Sequence, residues 1–329
     1  MTEGVVPLDP PAIDLHAHYL PERYLASARA HGQHQPDGMP ALPDWNLPDA
    51  IDMMDRTGIA AAALSISSPG VSFLDSARAR ADLARAVNQD GADAVARFPD
   101  RLAVLATLPL PSVPDTLDEI DYSFDVLGVD GVTLHTHYDG VYLGDQRLEP
   151  VMAALSARAA LVTIHPVSPC DWPGVTFGRP RPMLEFLLDT TRAVVNLALS
   201  GALDRYPAIR WVVPHAGAAL PVLADRVNLF APWFAAPGAP EVDLVAALGR
   251  LHYDLAGVPL PRALPALLAL VGTDRIVYGS DYPFTSAPLA ARLARELQES
   301  PVLDNPARCA AFRENAMRLL TRFGAPPAV

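Results

Sequence analysis

Eight short apolar runs rich in β-branched residues recur along the chain: Ala12–Tyr19, Ala61–Ser67, Leu102–Leu110, Gly131–His137, Ala160–Pro166, Ile209–Ala216, Leu251–Gly257 and Ile276–Phe284. Between them lie Ala-, Leu- and Arg-rich stretches with helical period. These are Leu47–Thr57, Ala77–Arg97, Val113–Leu127, Leu148–Ala159, Arg181–Asp204, Ala219–Phe230, Arg262–Val271 and Ala287–Gln298. Strands alternating with helices of this length predict parallel βαβ units. Eight such units predict one α/β domain over residues 1–329, a closed (β/α)8 or TIM barrel. The rival architecture, a doubly wound open sheet, needs a glycine-rich first turn, and G-x-G-x-x-G is absent.

Proline, at 34 of 329 residues, exceeds the usual ~5% and clusters at the ends of the strand runs, marking loops. The Pro/Gly/His-rich stretch His31–Trp45 is too long for a simple connection and reads as an active-site insertion after the first strand. Ala231–Pro240 reads as a second exposed loop, and Ala310–Phe323 as an amphipathic C-terminal helix. Half of the residues are apolar, so a large core is expected and disorder is not.

Acidic residues number 37 against 25 bases, a net charge of −12. Such a surface repels nucleic acid and anionic lipid, which excludes a general nucleic-acid binder. Every base is Arg; there is no Lys. A Schiff-base lysine (hence pyridoxal phosphate chemistry), a Walker-type nucleotide site and a lysine carboxylate bridging two metals are therefore excluded. The two cysteines, Cys170 and Cys309, sit in no C-x-x-C motif. The N-terminus lacks the basic start and apolar run of a signal peptide, and no 18-residue apolar window exists. A cytoplasmic protein without a membrane span is expected.

Histidines gather at the ends of the strand runs. The first run ends Asp14-Leu15-His16-Ala17-His18, and side chains two apart on a strand share a face. The fifth ends in His165, the sixth in His215-Ala216-Gly217, and the eighth carries Asp281. In a barrel, catalytic residues sit at the C-terminal mouth. There His16, His18, His165 and Asp281 can reach a single divalent cation. Imidazoles plus one carboxylate suit Zn²⁺ best, with Mn²⁺, Fe²⁺ or Co²⁺ also fitting.

The segments IDLHAHYLP (Ile13–Pro21), ATLPLP (Ala106–Pro111), TIHP (Thr163–Pro166), PHAGAALP (Pro214–Pro221) and YGSDYPF (Tyr278–Phe284) resemble the amidohydrolase superfamily. The resemblance is to its aminocarboxymuconate-semialdehyde decarboxylase-like branch and covers nearly the whole chain. Around Gln35–Met39, Ser67–Gly70 and Arg179–Phe186 the chain is most similar to 6-methylsalicylate and related o-hydroxybenzoate decarboxylases.

The resemblance implies one catalytic metal on His16, His18, His165 and Asp281. It makes His215 an acid/base residue beside the metal, either as partner to Asp281 as the proton donor or by activating a metal-bound water that adds to the substrate. It implies a homodimer or higher oligomer in which Arg226 enters the neighbouring subunit's site to clamp a carboxylate. The semialdehyde decarboxylase itself carries a second carboxylate-binding Arg after the first strand. Residues Gln33–Asp55 contain none, which argues against that substrate.

Asp254 is expected near the mouth, orienting His215 or binding substrate. His135 and His137 read as substrate contacts or polar packing, and Trp172, Phe177 and Trp45 as walls of an aromatic pocket. The implied reaction is metal-dependent, non-oxidative decarboxylation of a small aromatic, 2-hydroxybenzoate-type acid. A mononuclear hydrolase of a lactone, amide or ester uses the same ligands and is the alternative. A non-catalytic metal- or ligand-binding barrel is the third reading.

Overall fold

The computed structural model describes residues 7–235 and 237–324. Eight parallel strands follow one another in sequence order: β1 (Ala12–His18), β2 (Ile59–Ser65), β3 (Leu102–Thr107), β4 (Gly131–His135), β5 (Leu161–His165), β6 (Arg210–Val213), β7 (His252–Asp254) and β8 (Ile276–Val277). A bridge between Asp14 and Tyr278, with the Leu15 N–H donating to the Tyr278 carbonyl at 3.0 Å, joins the last strand to the first. The architecture is the (β/α)8 barrel.

The sequence pattern overran the strands at their C-terminal ends, where the chain leaves the sheet to build loops. The run Gly131–His137 stops as β4 at His135, and His137–Tyr138 pairs antiparallel with Val141–Tyr142 in a small hairpin. The run Ile276–Phe284 contributes only two strand residues. Apolar residues at those ends are buried under neighbouring loops, which periodicity does not distinguish from a strand.

Helix boundaries follow local chemistry. Asn46 caps helix Leu47–Thr57, accepting from Asp49 N–H at 2.9 Å, and Gly58 ends it with φ 82°. Ser76 caps Ala77–Arg97 in the same way. One loop expectation is corrected. Helix Leu220–Phe234 continues through Pro232 and so takes up the first four residues of the stretch read as the loop Ala231–Pro240. Pro232 lies in the last turn, where it removes one hydrogen bond of the ladder and the helix stops two residues later. At the C-terminal end, unbroken helical turns run from Asn305 to Leu319, with a wider turn at Ala310–Glu314, so they begin and end earlier than the stretch Ala310–Phe323 read from the pattern.

Two apolar layers hold the barrel. The larger fills the space between strands and helices. The smaller, including Ile13, Leu15, Ala61, Ala63, Leu105 and Val277, fills the barrel interior, and Ala316, Leu319 and Leu320 pack against it. Phe312, fully buried, anchors the C-terminal segment against Tyr278 with ring centroids 5.7 Å apart. Phe312→Ala is expected to destabilise the protein by about 3–5 kcal/mol, read as a lower urea midpoint with an unchanged denaturant slope.

The register of β1 positions the site. Asp14 pairs with Ala62 and Ala17 with Leu64, so β1 spends three steps where β2 spends two. Strict alternation would put His16 and His18 on the face opposite Ile13 and Leu15. The extra residue resets the alternation, so the apolar pair fills the interior while the two imidazoles also turn inward above it. Asp14, fully buried, stabilises this bulge. Its Oδ1 accepts from His16 N–H at 3.0 Å and from Ser280 N–H at 3.1 Å. Burial raises its pKa to about 7.

Candidate active site

His16 and His18, at the end of β1, meet His165, at the end of β5. One nitrogen from each of the three rings lies within 4.8 Å of the others. All three are buried, and each is oriented by its Nδ1. That of His16 donates to Asp254 Oδ2 at 2.8 Å, that of His18 lies 3.1 Å from Ser65 Oγ, and that of His165 donates to the Pro166 carbonyl at 2.7 Å. With Nδ1 carrying the proton, the Nε2 lone pairs are left to face the common centre.

Asp281 Oδ1 completes the set, 3.3 Å from His18 Nε2 and 3.6 Å from His16 Nε2. The Nε2 atoms of His16 and His18 are buried without a hydrogen-bond partner among the described residues. Buried lone pairs are rarely left unsatisfied. Three converging imidazoles with a carboxylate beside two of them are donors that suit a mononuclear divalent metal centre, and the residues fit such an ion.

Backbone geometry at the two remaining strand ends is unusual. His215, Ala216 and Ala218 all have φ between 52° and 57°, and Gly217 has φ 76°. This left-handed turn after β6 sets the His215 ring 5.1 Å from that of His16. Asp281 also has positive φ, at 59°. Non-glycine residues in this region are strained and concentrate at functional sites. Asp254 holds the turn, its Oδ1 accepting from His215 N–H at 3.0 Å.

Burial keeps most of the imidazoles neutral. It lowers the pKa of His18 and His215, and it takes His165 well below the usual range. His16 is the exception. Burial works against its charge, but the Asp254 carboxylate, together with Asp281 and Asp14, outweighs this and lifts it to about 9. For Asp281, burial acts upward, but His18 and His16 hold it down to about 2.

A cavity of about 410 Å³ opens over these groups. Ser67, His165, His215 and Asp281 supply its polar side chains; Met39, Pro182, Met183, Phe186, Val258 and Phe284 supply much of its apolar wall. Ser67, which the sequence marked only as the start of the Ser67–Gly70 segment of resemblance and to which it gave no role, places Oγ 3.2 Å from His165 Nε2. Neither spacing nor periodicity marks a lone serine in a loop.

Other expected contacts lie elsewhere. Asp254 sits behind His16, buried, with its oxygens committed to His16, His215 and Ala256. His137 donates from Nε2 to the Ser168 carbonyl at 3.0 Å, outside the cavity lining. Trp172 lies under the Arg181 guanidinium, 4.2 Å from ring centroid to Cζ, and does not line the cavity. Phe177 is 87% exposed, and Trp45 packs near Tyr19. These aromatics serve the loops around the mouth rather than its wall.

His135 is buried against the Ser67–Gly70 turn, where a Cβ on Gly70 would sit 2.2 Å from its Cε1. Burial drops its pKa to about 3, and it stands outside the converging set. Arg226 is exposed on helix Leu220–Phe234, over the Phe230 ring, and away from its own chain's cavity.

Comparison with known proteins places this geometry. The amidohydrolase family model matches residues 13–322. The chain belongs to the amidohydrolase family. The 6-methylsalicylic acid decarboxylase of Penicillium expansum is 34% identical to this amidohydrolase over 278 residues, covering 82% of this chain and 84% of the relative. The crystal structure of an amidohydrolase II is 35% identical and superposes with a TM-score of 0.89, covering 94% of this chain and 99% of the other. A dihydroxybenzoic acid decarboxylase from Polaromonas sp. JS666 has the same fold at 23% identity, with a TM-score of 0.79 over 95% and 98% of the two chains. That structure holds manganese and the inhibitor 2-nitroresorcinol.

Proposed function

We propose that this amidohydrolase decarboxylates a small aromatic acid of the 2-hydroxybenzoate type, with one divalent ion held by His16, His18, His165 and Asp281. The observation that carries the reading is the convergence of unpartnered Nε2 atoms and Asp281 at the base of a cavity whose other walls are largely carbon. A cavity of about 410 Å³ suits a single substituted ring. The named activity of the Penicillium expansum relative supports the same substrate class.

When bound, the ion supplies Lewis acidity and a chelation point for a carboxylate and its ortho-hydroxyl. This chain's residues supply the proton. Asp281, whose Oδ2 accepts from Thr285 Oγ1 at 3.2 Å, is the group that delivers it; the neighbouring imidazoles keep the carboxylate ionised at rest, so it takes a proton from solvent before each transfer. Transfer to the ring carbon bearing the carboxylate forms a C–H bond. The carbon–carboxylate bond then breaks, its electron pair returns to the ring, and CO2 leaves; solvent reprotonates Asp281. His215, kept neutral by burial, is the adjoining acid/base group. The apolar wall excludes water from the ring while charge develops.

Zinc is our first choice for the resident ion, on the strength of three imidazoles and one carboxylate; manganese, iron and cobalt suit the same donors. No helix among the described residues is long and apolar enough to cross a membrane. Cys170 and Cys309 are unpaired, consistent with a reducing, cytoplasmic setting.

The deciding assay incubates metal-loaded protein with a panel of 2-hydroxybenzoates. Release of CO2 and the matching phenol in equal amounts is expected. Opening of lactones or esters with no CO2 from any 2-hydroxybenzoate would replace this reading with the hydrolase.

A homodimer follows from the same helix that carries Arg226. Val222, Leu229 and Trp233 share one face with Arg226 and are 76%, 61% and 72% exposed. Large apolar side chains grouped on a surface mark a contact site. Trp233→Glu is expected to yield monomers by light scattering. Arg226→Ala should raise KM about tenfold or more while leaving the dimer intact.

A further inference from the structure

We propose that Asp37, Ser168 and Arg181 form a latch that ties together two loops of the cavity wall and so sets which ring substituents the cavity admits. The role assigned to the wall rests on the decarboxylase reading; the latch itself does not.

The wall over the ring is assembled from segments far apart in the chain. Met39 comes from the insertion after β1, and Pro182 and Met183 come from the long connection after β5. Neither segment belongs to the barrel sheet, so their separation must be set by direct contacts. The Ser168 hydroxyl makes that contact. It donates to Asp37 Oδ1 and accepts from Arg181 Nε at 2.9 Å. Both bonds are charge-assisted, one by the carboxylate and one by the guanidinium.

The anchors are held in turn. Arg181 stacks on Trp172, and His137 donates to the Ser168 carbonyl at 3.0 Å, linking in the hairpin after β4. On the other side, the turn bearing Asp37 is pressed onto the guanidinium. A Cβ on Gly38 would lie 2.6 Å from Arg181 Nη1. Asp37 and Gly38 adopt φ of 54° and 74°, which shapes the turn to that approach.

Asp37 is only 6% exposed, and its Oδ2 has no hydrogen-bond partner among the described residues. Its carboxylate therefore depends on the single serine contact. Without that hydroxyl, the buried carboxylate loses its one hydrogen-bond donor among the described residues, and the favourable response is for the turn to lift into water. Lifting it moves Met39, two residues on, away from Met183. The three latch residues touch no reacting atom; they act through the wall.

The experiment compares Ser168→Ala, Asp37→Ala, their double variant and Ser168→Thr in the full-length, metal-loaded protein. Hydrogen exchange is expected to rise about tenfold or more in both segments, residues 33–40 and 179–185, in either single variant. The double variant should be no worse than one single, because the two groups form one interaction. KM for an alkyl-substituted 2-hydroxybenzoate should rise about tenfold with kcat and metal content nearly unchanged. Ser168→Thr, which keeps the hydroxyl, should restore both readouts.

The latch is overturned if each single variant loosens only its own segment, or if the two effects simply add. Its role in the wall is overturned if kcat falls while KM stays flat. Coupled exchange in a protein that decarboxylates nothing would leave the latch standing and remove only the functional reading.

Discussion

Asp281→Asn and His18→Ala proteins are expected to lose stoichiometric metal and essentially all turnover. Asp281 Oδ1 faces the Nε2 atoms of His16 and His18 at 3.6 and 3.3 Å, and among the described residues no other carboxylate lies against those two atoms. Asparagine keeps the shape and the contact to Thr285 but removes the negative charge and the transferable proton. A metal supplies several kcal/mol of charge stabilisation, so its loss corresponds to a fall of about 10³-fold or more in kcat/KM. Elemental analysis of protein purified without chelator, beside the decarboxylation rate, checks this. Either variant retaining wild-type metal content and rate would show that the four residues are not the metal site. Circular dichroism separates loss of metal from loss of fold.

Asp254→Asn is the second large effect, although Asp254 does not line the cavity. Its carboxylate fixes His16 through Nδ1 and pins the His215 turn. Removing a partner of this kind lowers metal affinity by about 10–100-fold. The pH dependence carries a sharper signature. His16 in the metal-free protein holds its proton up to about pH 9, because the adjacent carboxylates, Asp254 first, outweigh the cost of burial. A cation must displace that proton. Metal affinity is therefore expected to climb with pH through the neutral range and level off above about 9.

Linkage gives the metal-free fold the opposite trend. Its share of stability from protonated His16 is complete below the ordinary imidazole value of 6.5. It is lost as pH rises through about 9. In Asp254→Asn both transitions should move toward the ordinary imidazole range. Metal titrations and thermal melts between pH 6 and 10 read the two trends. An unshifted profile would show that Asp254 does not set the proton on His16.

Much of the site was legible because its members are chemically rare and sit at strand ends. A barrel brings the C-terminal ends of all eight strands to one mouth, so strand order alone groups His16, His18, His165, His215 and Asp281 as candidates. The spacing of His16 and His18 implied a shared face, which holds. What placed that face inward was not legible. Alternation from Ile13 and Leu15 predicts the opposite face, and the bulge in β1 reverses it. The left-handed turn at His215 likewise depends on Asp254, which lies 39 residues away in the chain.

The substrate wall was legible least of all. Trp172, Phe177 and His137 looked like site residues by type, yet they cap, flank or brace the loops. Met39, Phe186 and Phe284, of no chemical distinction, form the wall instead. Apolar residues recur throughout such a chain, and only their meeting in space tells a wall from a core.

The linear order of residues by itself determined the number and sequence of strands, the absence of lysine chemistry and which side chains are candidates to hold a metal. Those properties are carried by local periodicity and by residue type. Tertiary structure decided which nitrogen of each imidazole faces the centre, which carboxylate tunes His16 and which loops close over the ring. These outcomes depend on contacts between segments tens to hundreds of residues apart. Their energies arise only once the barrel has closed and taken the groups out of water.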